Sequence, residues 1–183
     1  MAIRSIGEIQ KGKTLILTTS ITAGVSSITI SNIPQFYSDL IILWRNLTQS
    51  SYASGASYSQ VRFNSDTTAG NYIWHTVAPS ATTTTLSANS VSGSTFWADG
   101  GTALNSPFQG YTSDYPYSWG YITINSYTSN LDKLLETRTH AAGVNRSSLA
   151  IGTFRGSAIT SINVTPNAAF TYTSGTILLY GIV

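Results

Sequence analysis

An all-β fold, an antiparallel two-sheet sandwich of the jelly-roll kind, is predicted by three features of this 183-residue sequence. The first is composition: 42% of residues are hydrophobic and 11% aromatic, while only 9% are charged. That is too apolar for a disordered chain, which combines few aromatics with high charge. Thr, Tyr, Val, Ile and Trp suit strands, and the many Ser, Asn, Gly and Pro residues suit turns. The second feature is spacing, since from residue 14 onward short strand-like runs alternate with turn signals. The third is the near absence of any helical period. A chain of this length can bury a core of its own, so one domain is expected over 14–183, with a short N-terminal arm over 1–13.

The arm, "MAIRSIGEIQKGK", carries Ile3, Ile6 and Ile9. Their spacing fits one helical turn or an extended arm that docks its isoleucines into a neighbour, which makes them candidate partner-binding residues. Strands are then expected near 14–20, 25–31, 39–48, 58–64, 71–77, 118–127, 132–142, 148–155, 159–165 and 175–183. In "DLIILWRNL" one face holds Leu40, Ile42 and Trp44 and the other Ile41, Leu43 and Leu47, so this strand should be central and covered on both faces. The final "TILLYGIV" shows the same double pattern, with Ile177 and Leu179 opposite Leu178, Tyr180 and Ile182. "DKLLETRTHA" places Glu136, Arg138 and His140 on a solvated face, with Leu135, Thr137 and Thr139 on the other. Between 78 and 117 the pattern dissolves into one long insertion. Connections this long are uncommon in compact domains and are usually functional or disordered. Its aromatic content argues against disorder, and "ADGGT" reads as an Asp-Gly turn, so short strands can hide inside it.

The chemistry-bearing stretch is "RFNSDTTAGNYIWH", residues 62–75. A calcium loop needs several closely spaced carboxylates, and here Asp66 stands alone. Zinc needs three or four His, Cys or carboxylate ligands, and the chain has two His and no Cys. The plain reading is a hairpin linking two strands, with Asp66 tying down its own backbone in an Asx-turn. No G-x-S-x-G elbow and no G-x-x-x-x-G-K-[ST] loop occurs. Asp132 and Glu136 share a strand face, but four residues in a strand separate them by about 13 Å, beyond the roughly 5–10 Å of paired glycosidase carboxyls. The nine Lys and Arg residues are scattered singly and the net charge is +2, which argues against nucleic acid. No apolar run approaches bilayer length, and no secretory leader is evident. The sequence therefore predicts a non-enzymatic protein with no catalytic residue, metal or cofactor and no membrane insertion. The remaining candidate ligand site is the aromatic insertion. There Trp97, Tyr111, Tyr115 and Tyr117 could stack on sugar rings, with Asp99 and Asp114 accepting hydrogen bonds.

The ending "FTYTSGTILLYGIV" resembles the final strand of jelly-roll virion proteins of tailed bacteriophages, through Phe170, Ser174, Gly175, Thr176, Leu179, Tyr180, Gly181 and Ile182. "VRFNSDTTAGNY" looks like the Phe-Asn, polar-turn, Asn-Tyr hairpin of that group, through Phe63, Asn64, Asn71 and Tyr72. "IPQFYSDLIILWRNL" is similar to its early strand. The resemblance covers about half the chain and has no counterpart for the insertion. It implies a virion structural protein: foremost a capsid decoration (cement) protein, a homotrimer contacting the major capsid protein. Two alternatives stand beside it, a tail or fibre protein that touches a host-surface glycan and a carbohydrate-binding module.

Overall fold

The computed structural model describes residues 12–50, 59–79, 86–93, 96–97, 118–141, 146–166 and 171–183. Within them lie twelve strands: β1 (Lys13–Ile21), β2 (Ile28–Ile30), β3 (Asp39–Gln49), β4 (Ser59–Phe63), β5 (Tyr72–Pro79), β6 (Leu86–Gly93), β7 (Phe96–Trp97), β8 (Ser118–Asn125), β9 (Lys133–Ala141), β10 (Arg146–Phe154), β11 (Ile162–Pro166) and β12 (Tyr172–Ile182). They form an eight-stranded sheet, ordered β1-β12-β3-β8-β9-β10-β5-β6, and a four-stranded sheet, ordered β2-β11-β4-β7. Every pairing is antiparallel. The chain is the predicted all-β, jelly-roll-like sandwich.

The core lies between the sheets and is built by alternation along each strand. From the large sheet come Leu40, Ile42 and Trp44, Ile177 and Leu179, Ile122 and Ile124, Leu135, Phe154, Tyr72 and Trp74. The small sheet answers with Ile28, Ile30, Val61, Phe63, Ile162 and Val164. At the centre Trp44 of β3 lies against Gly120 of β8, its register partner. A Cβ on Gly120 would run into the Trp44 ring and sit 2.7 Å from the carbonyl oxygen of Arg138, so the indole occupies the space a side chain would need.

Three expectations are corrected. Leu47 does not share the outer face with Ile41 and Leu43. Asn46 takes a positive φ of 53°, and the register against β12 breaks here, which turns Leu47 into the core at 1% exposure. The Ser174-Gly175 pair is not a turn before the last strand. It lies inside β12 as the other half of that irregularity, with Gly175 at φ 132° and its Cα facing the backbone of Leu47. The segment 62–75 is no hairpin of one sheet, because β4 belongs to the small sheet and β5 to the large one. Within 78–117, where short strands were allowed for, β6 extends the large sheet beyond β5 and β7 pairs with β4 in the small sheet.

Lys133 is a residue the sequence reading did not place. It is fully buried on the inward face of β9, in line with Leu135, Thr137 and Thr139. Its ammonium donates to the carbonyl oxygens of Leu131 (2.8 Å) and Gly156, and lies 5.4 Å from the centre of the Phe154 ring. Burial pushes its pKa down, against the pull of nearby Asp132. Two carbonyls and an aromatic face are the partners that make a buried cation tolerable.

Candidate interaction surface

The polar stretch 62–75 is a structural joint between the sheets. Asp66 Oδ1 accepts a hydrogen bond from the Thr68 amide at 2.7 Å, the expected Asx-turn, and Oδ2 accepts one from the Asn71 side chain at 2.7 Å. Burial disfavours the carboxylate, but these bonds outweigh it and hold the pKa below the ordinary value. Asn64, in the left-handed region at φ 54°, clamps the neighbouring loop. Its Oδ1 accepts from the amides of Thr160 (2.8 Å) and Ser161 (3.2 Å), and its Nδ2 donates to the Ala158 carbonyl at 2.8 Å. The buried Tyr72 hydroxyl accepts from the Phe63 amide at 3.0 Å and donates to the Asp66 carbonyl at 3.3 Å. Its ring packs with Phe63 and Phe154 at centroid distances of 6.0 and 4.9 Å. Asn64, Asp66, Asn71 and Tyr72 thus engage their polar groups in holding the joint together.

Among the described residues, Asp132 and Glu136 each face an arginine. Asp132 pairs with Arg155 at 3.5 Å, and Glu136 accepts from Arg138 at 2.9 Å. Among the described residues no group of three or more His, Cys, Asp or Glu side chains could hold a metal ion, and no helix is long and apolar enough to cross a membrane.

What stands out is the outer face of the large sheet. Strand register aligns its side chains in rows. Leu15, Tyr180, Ile41 and Thr123 form one row across β1, β12, β3 and β8, and Thr18, Leu178, Leu43 and Tyr121 form the next. Lys13, Ile41, Leu43, Tyr121, Thr123 and Tyr180 line a depression of about 450 Å³. Continuing along both rows, β9 contributes Glu136 and Arg138, and β10 contributes Ile151 and Leu149. The Glu136–Arg138 ion pair thus forms a charged strip between two apolar ones. Leu15, Trp119, Leu134 and Ile151 are each about half exposed. The double apolar pattern of β3 and β12 has its explanation here: one face is core, and the other borders this depression.

Of the candidate residues named from the sequence, Trp97 falls on β7, where its backbone pairs with Gln60. Asp99, Tyr111, Asp114, Tyr115 and Tyr117 lie outside the described residues, as do Ile3, Ile6 and Ile9 and the "ADGGT" turn. Sequence reasoning did not single out Trp119, Tyr121, Leu134 or Ile151. For Trp119 and Tyr121 the signal was the alternation Trp119, Tyr121, Thr123 against Gly120, Ile122, Ile124, in which neither face is polar.

Fold and surface define the class: a β-sandwich whose distinguishing feature is an apolar face on its larger sheet. No protein-family model matches the chain, and no curated protein matches its sequence. A solved structure from Saccharomyces cerevisiae, of a functionally unknown protein, is similar over 94% of this chain and 93% of its own at 13% identity and a TM-score of 0.36, a likeness too slight to speak to function.

Proposed function

We propose that this chain is a non-enzymatic structural protein of a tailed-bacteriophage virion, a capsid decoration protein that acts as a homotrimer and binds the major capsid protein. The observation that carries the reading is the apolar outer face of the large sheet. A β-sheet face bearing half-exposed Trp119, Leu134 and Ile151 beside a Leu43–Leu178 row is the kind of surface that protein contacts cover. The Leu-Tyr-Gly-Ile motif behind the phage resemblance borders this face. Leu179 enters the core, Tyr180 lines the depression, and Gly181 leaves room for the Tyr37 ring packed on it. Such a protein works by holding neighbours together, which asks for interfaces rather than a reaction centre.

Light scattering on the purified protein, with mass spectrometry of separated full heads and free tails, tests the reading. The expected result is a trimer that Ile151→Asp converts to monomers of unchanged melting temperature, with the chain found on heads. A protein that stays monomeric at all concentrations and is absent from particles overturns it. Recovery on free tails alone replaces the capsid assignment by the tail one.

A further inference from the structure

We propose that the depression on the large sheet binds a small organic acid, a carboxylate carried on a flat apolar ring. The site shares the sheet face of the assembly reading, lies on the other side of the Glu136–Arg138 strip, and needs no second copy. Three observations carry it, and the first is shape. Tyr180 stands on β12 and Tyr121 on β8, the two strands that flank β3, so two strand spacings of about 5 Å separate them across the sheet. They are also offset by one row, about 7 Å along the strands. The two tyrosines are therefore about 12 Å apart, and a ring midway lies about 6 Å from each, within the 4.5–7 Å of aromatic pairs. Ile41 and Leu43 of β3 form the floor between these walls. The volume of about 450 Å³ falls in the range of roughly 300–1,000 Å³ usual for ligand pockets.

The second observation is unspent polar capacity. Among the described residues the hydroxyls of Tyr121 and Tyr180 have no hydrogen-bond partner, so both can serve a ligand. The third is charge. Lys13 is the one charged side chain among the described residues that line the depression, and it is exposed and makes no ion pair with them. Two carboxylates border the site, and both are engaged. Asp39 shares the row of Lys13 two strands away and accepts from the Ser126 amide at 2.9 Å and the Ser38 hydroxyl at 3.2 Å. Glu136, beside Thr123, accepts from Arg138 at 2.9 Å. An anion at this rim therefore meets an uncompensated ammonium. The aliphatic floor and aromatic walls select the body of the ligand, and the ammonium and hydroxyls select its head. A sugar ring fits less well, because Ile41 and Leu43 offer nothing to the hydroxyls set down on them.

Calorimetric titration with naphthoate, and with naphthamide as the uncharged analogue of the same body, tests the proposal on the full chain. Expected is saturable binding of both, with naphthoate favoured about threefold to fivefold at low salt, the modest share of a cation at an exposed rim. High salt should shrink that preference, and Lys13→Gln should abolish it at an unchanged melting temperature. Thr123→Trp, which fills the depression, should remove binding of both probes. Tyr180→Leu keeps the strand but removes one wall, so it should weaken both about tenfold and serves if the tryptophan variant fails to fold. Absence of saturable naphthoate binding, equal affinity for the two probes, or either filled or wall-less variant folding and binding like wild type overturns the proposal. Ile151→Asp separates this site from the assembly reading, because it should bind naphthoate normally whatever its oligomeric state. Loss of binding in that variant also overturns the proposal, since the site would then need a second copy.

Discussion

Replacing Tyr72 by Phe should destabilise the protein at neutral pH and make it less sensitive to alkali. The ring would keep its place between Phe63 and Phe154, so the change isolates the hydroxyl. That hydroxyl is the partner of the buried Phe63 amide at 3.0 Å, and losing it strands a donor, a cost of about 1–3 kcal/mol. In a domain of this size each kcal/mol moves the melting point by roughly 2–4 °C, so a fall of roughly 2–12 °C is expected. Alkali acts more strongly on the wild type than on the variant. Burial pushes Tyr72 up to about 12 from an ordinary 10.0. Between those values the unfolded chain releases a proton that the folded chain retains, so wild-type stability falls as pH rises from 10 to 12. Two pKa units correspond to roughly 2–3 kcal/mol. Phe has no proton to lose, and the other tyrosines are common to both chains. The stability gap should therefore narrow across this window when urea midpoints are measured by circular dichroism from neutral pH to pH 12. A gap that stays constant, or a variant as stable as wild type at pH 7, would refute the role given to this hydroxyl.

Leu179→Ala opens a void in the fully buried middle of β12 and should cost about 2–5 kcal/mol in equilibrium unfolding, whereas Leu178→Ala on the outer face should cost clearly less. Gly120→Ala should lose about 1–3 kcal/mol by overpacking, with a changed near-ultraviolet signal from the displaced Trp44. The lowered pKa of Asp66 means that its contribution is present above the ordinary carboxylate value of 3.8 and disappears as pH falls below it. Asp66→Asn should accordingly show a shallower acid limb in a pH series of melting temperatures, and an unchanged limb would remove Asp66 from the joint.

Much of the fold was legible because alternation reports burial directly. Spacing alone grouped Leu40, Ile42 and Trp44 on one face, and Ile177 and Leu179 on another, and these are the faces the core buries. Lys133 was equally legible by parity with Leu135 and was passed over, because a charged side chain is expected in water. Leu47 could not be placed, since one irregular residue at Asn46 reverses every side chain beyond it. The "NSDTTAGN" turn announced a reversal but carried no information on which sheet each flanking strand joins. β6 escaped because "LSANSVSG" is polar and lies at a sheet edge, where strand formation needs a paired backbone on one side and no apolar stripe. The apolar outer face was half legible. Double burial of β3 and β12 pointed to a covered outer face, but the row joining Leu15, Tyr180, Ile41 and Thr123 comes from four distant segments and exists only once the register is set.

The burial of Lys133 has a practical side. The chain holds three lysines, Lys11, Lys13 and Lys133, and acylating reagents attack only amines that water can reach. Lys133 is fully enclosed and Lys13 is exposed, so of the two described lysines Lys13 is the one that would be labelled. Amine-coupled beads or sensor chips that capture the protein through Lys13 would hold it by the rim of the depression, turning the small sheet outward and the Leu15–Tyr180 side toward the support. A partner of the large sheet would go undetected in such an assay, whereas attachment through the C-terminal carboxylate or an exposed residue of β2 would leave that face free.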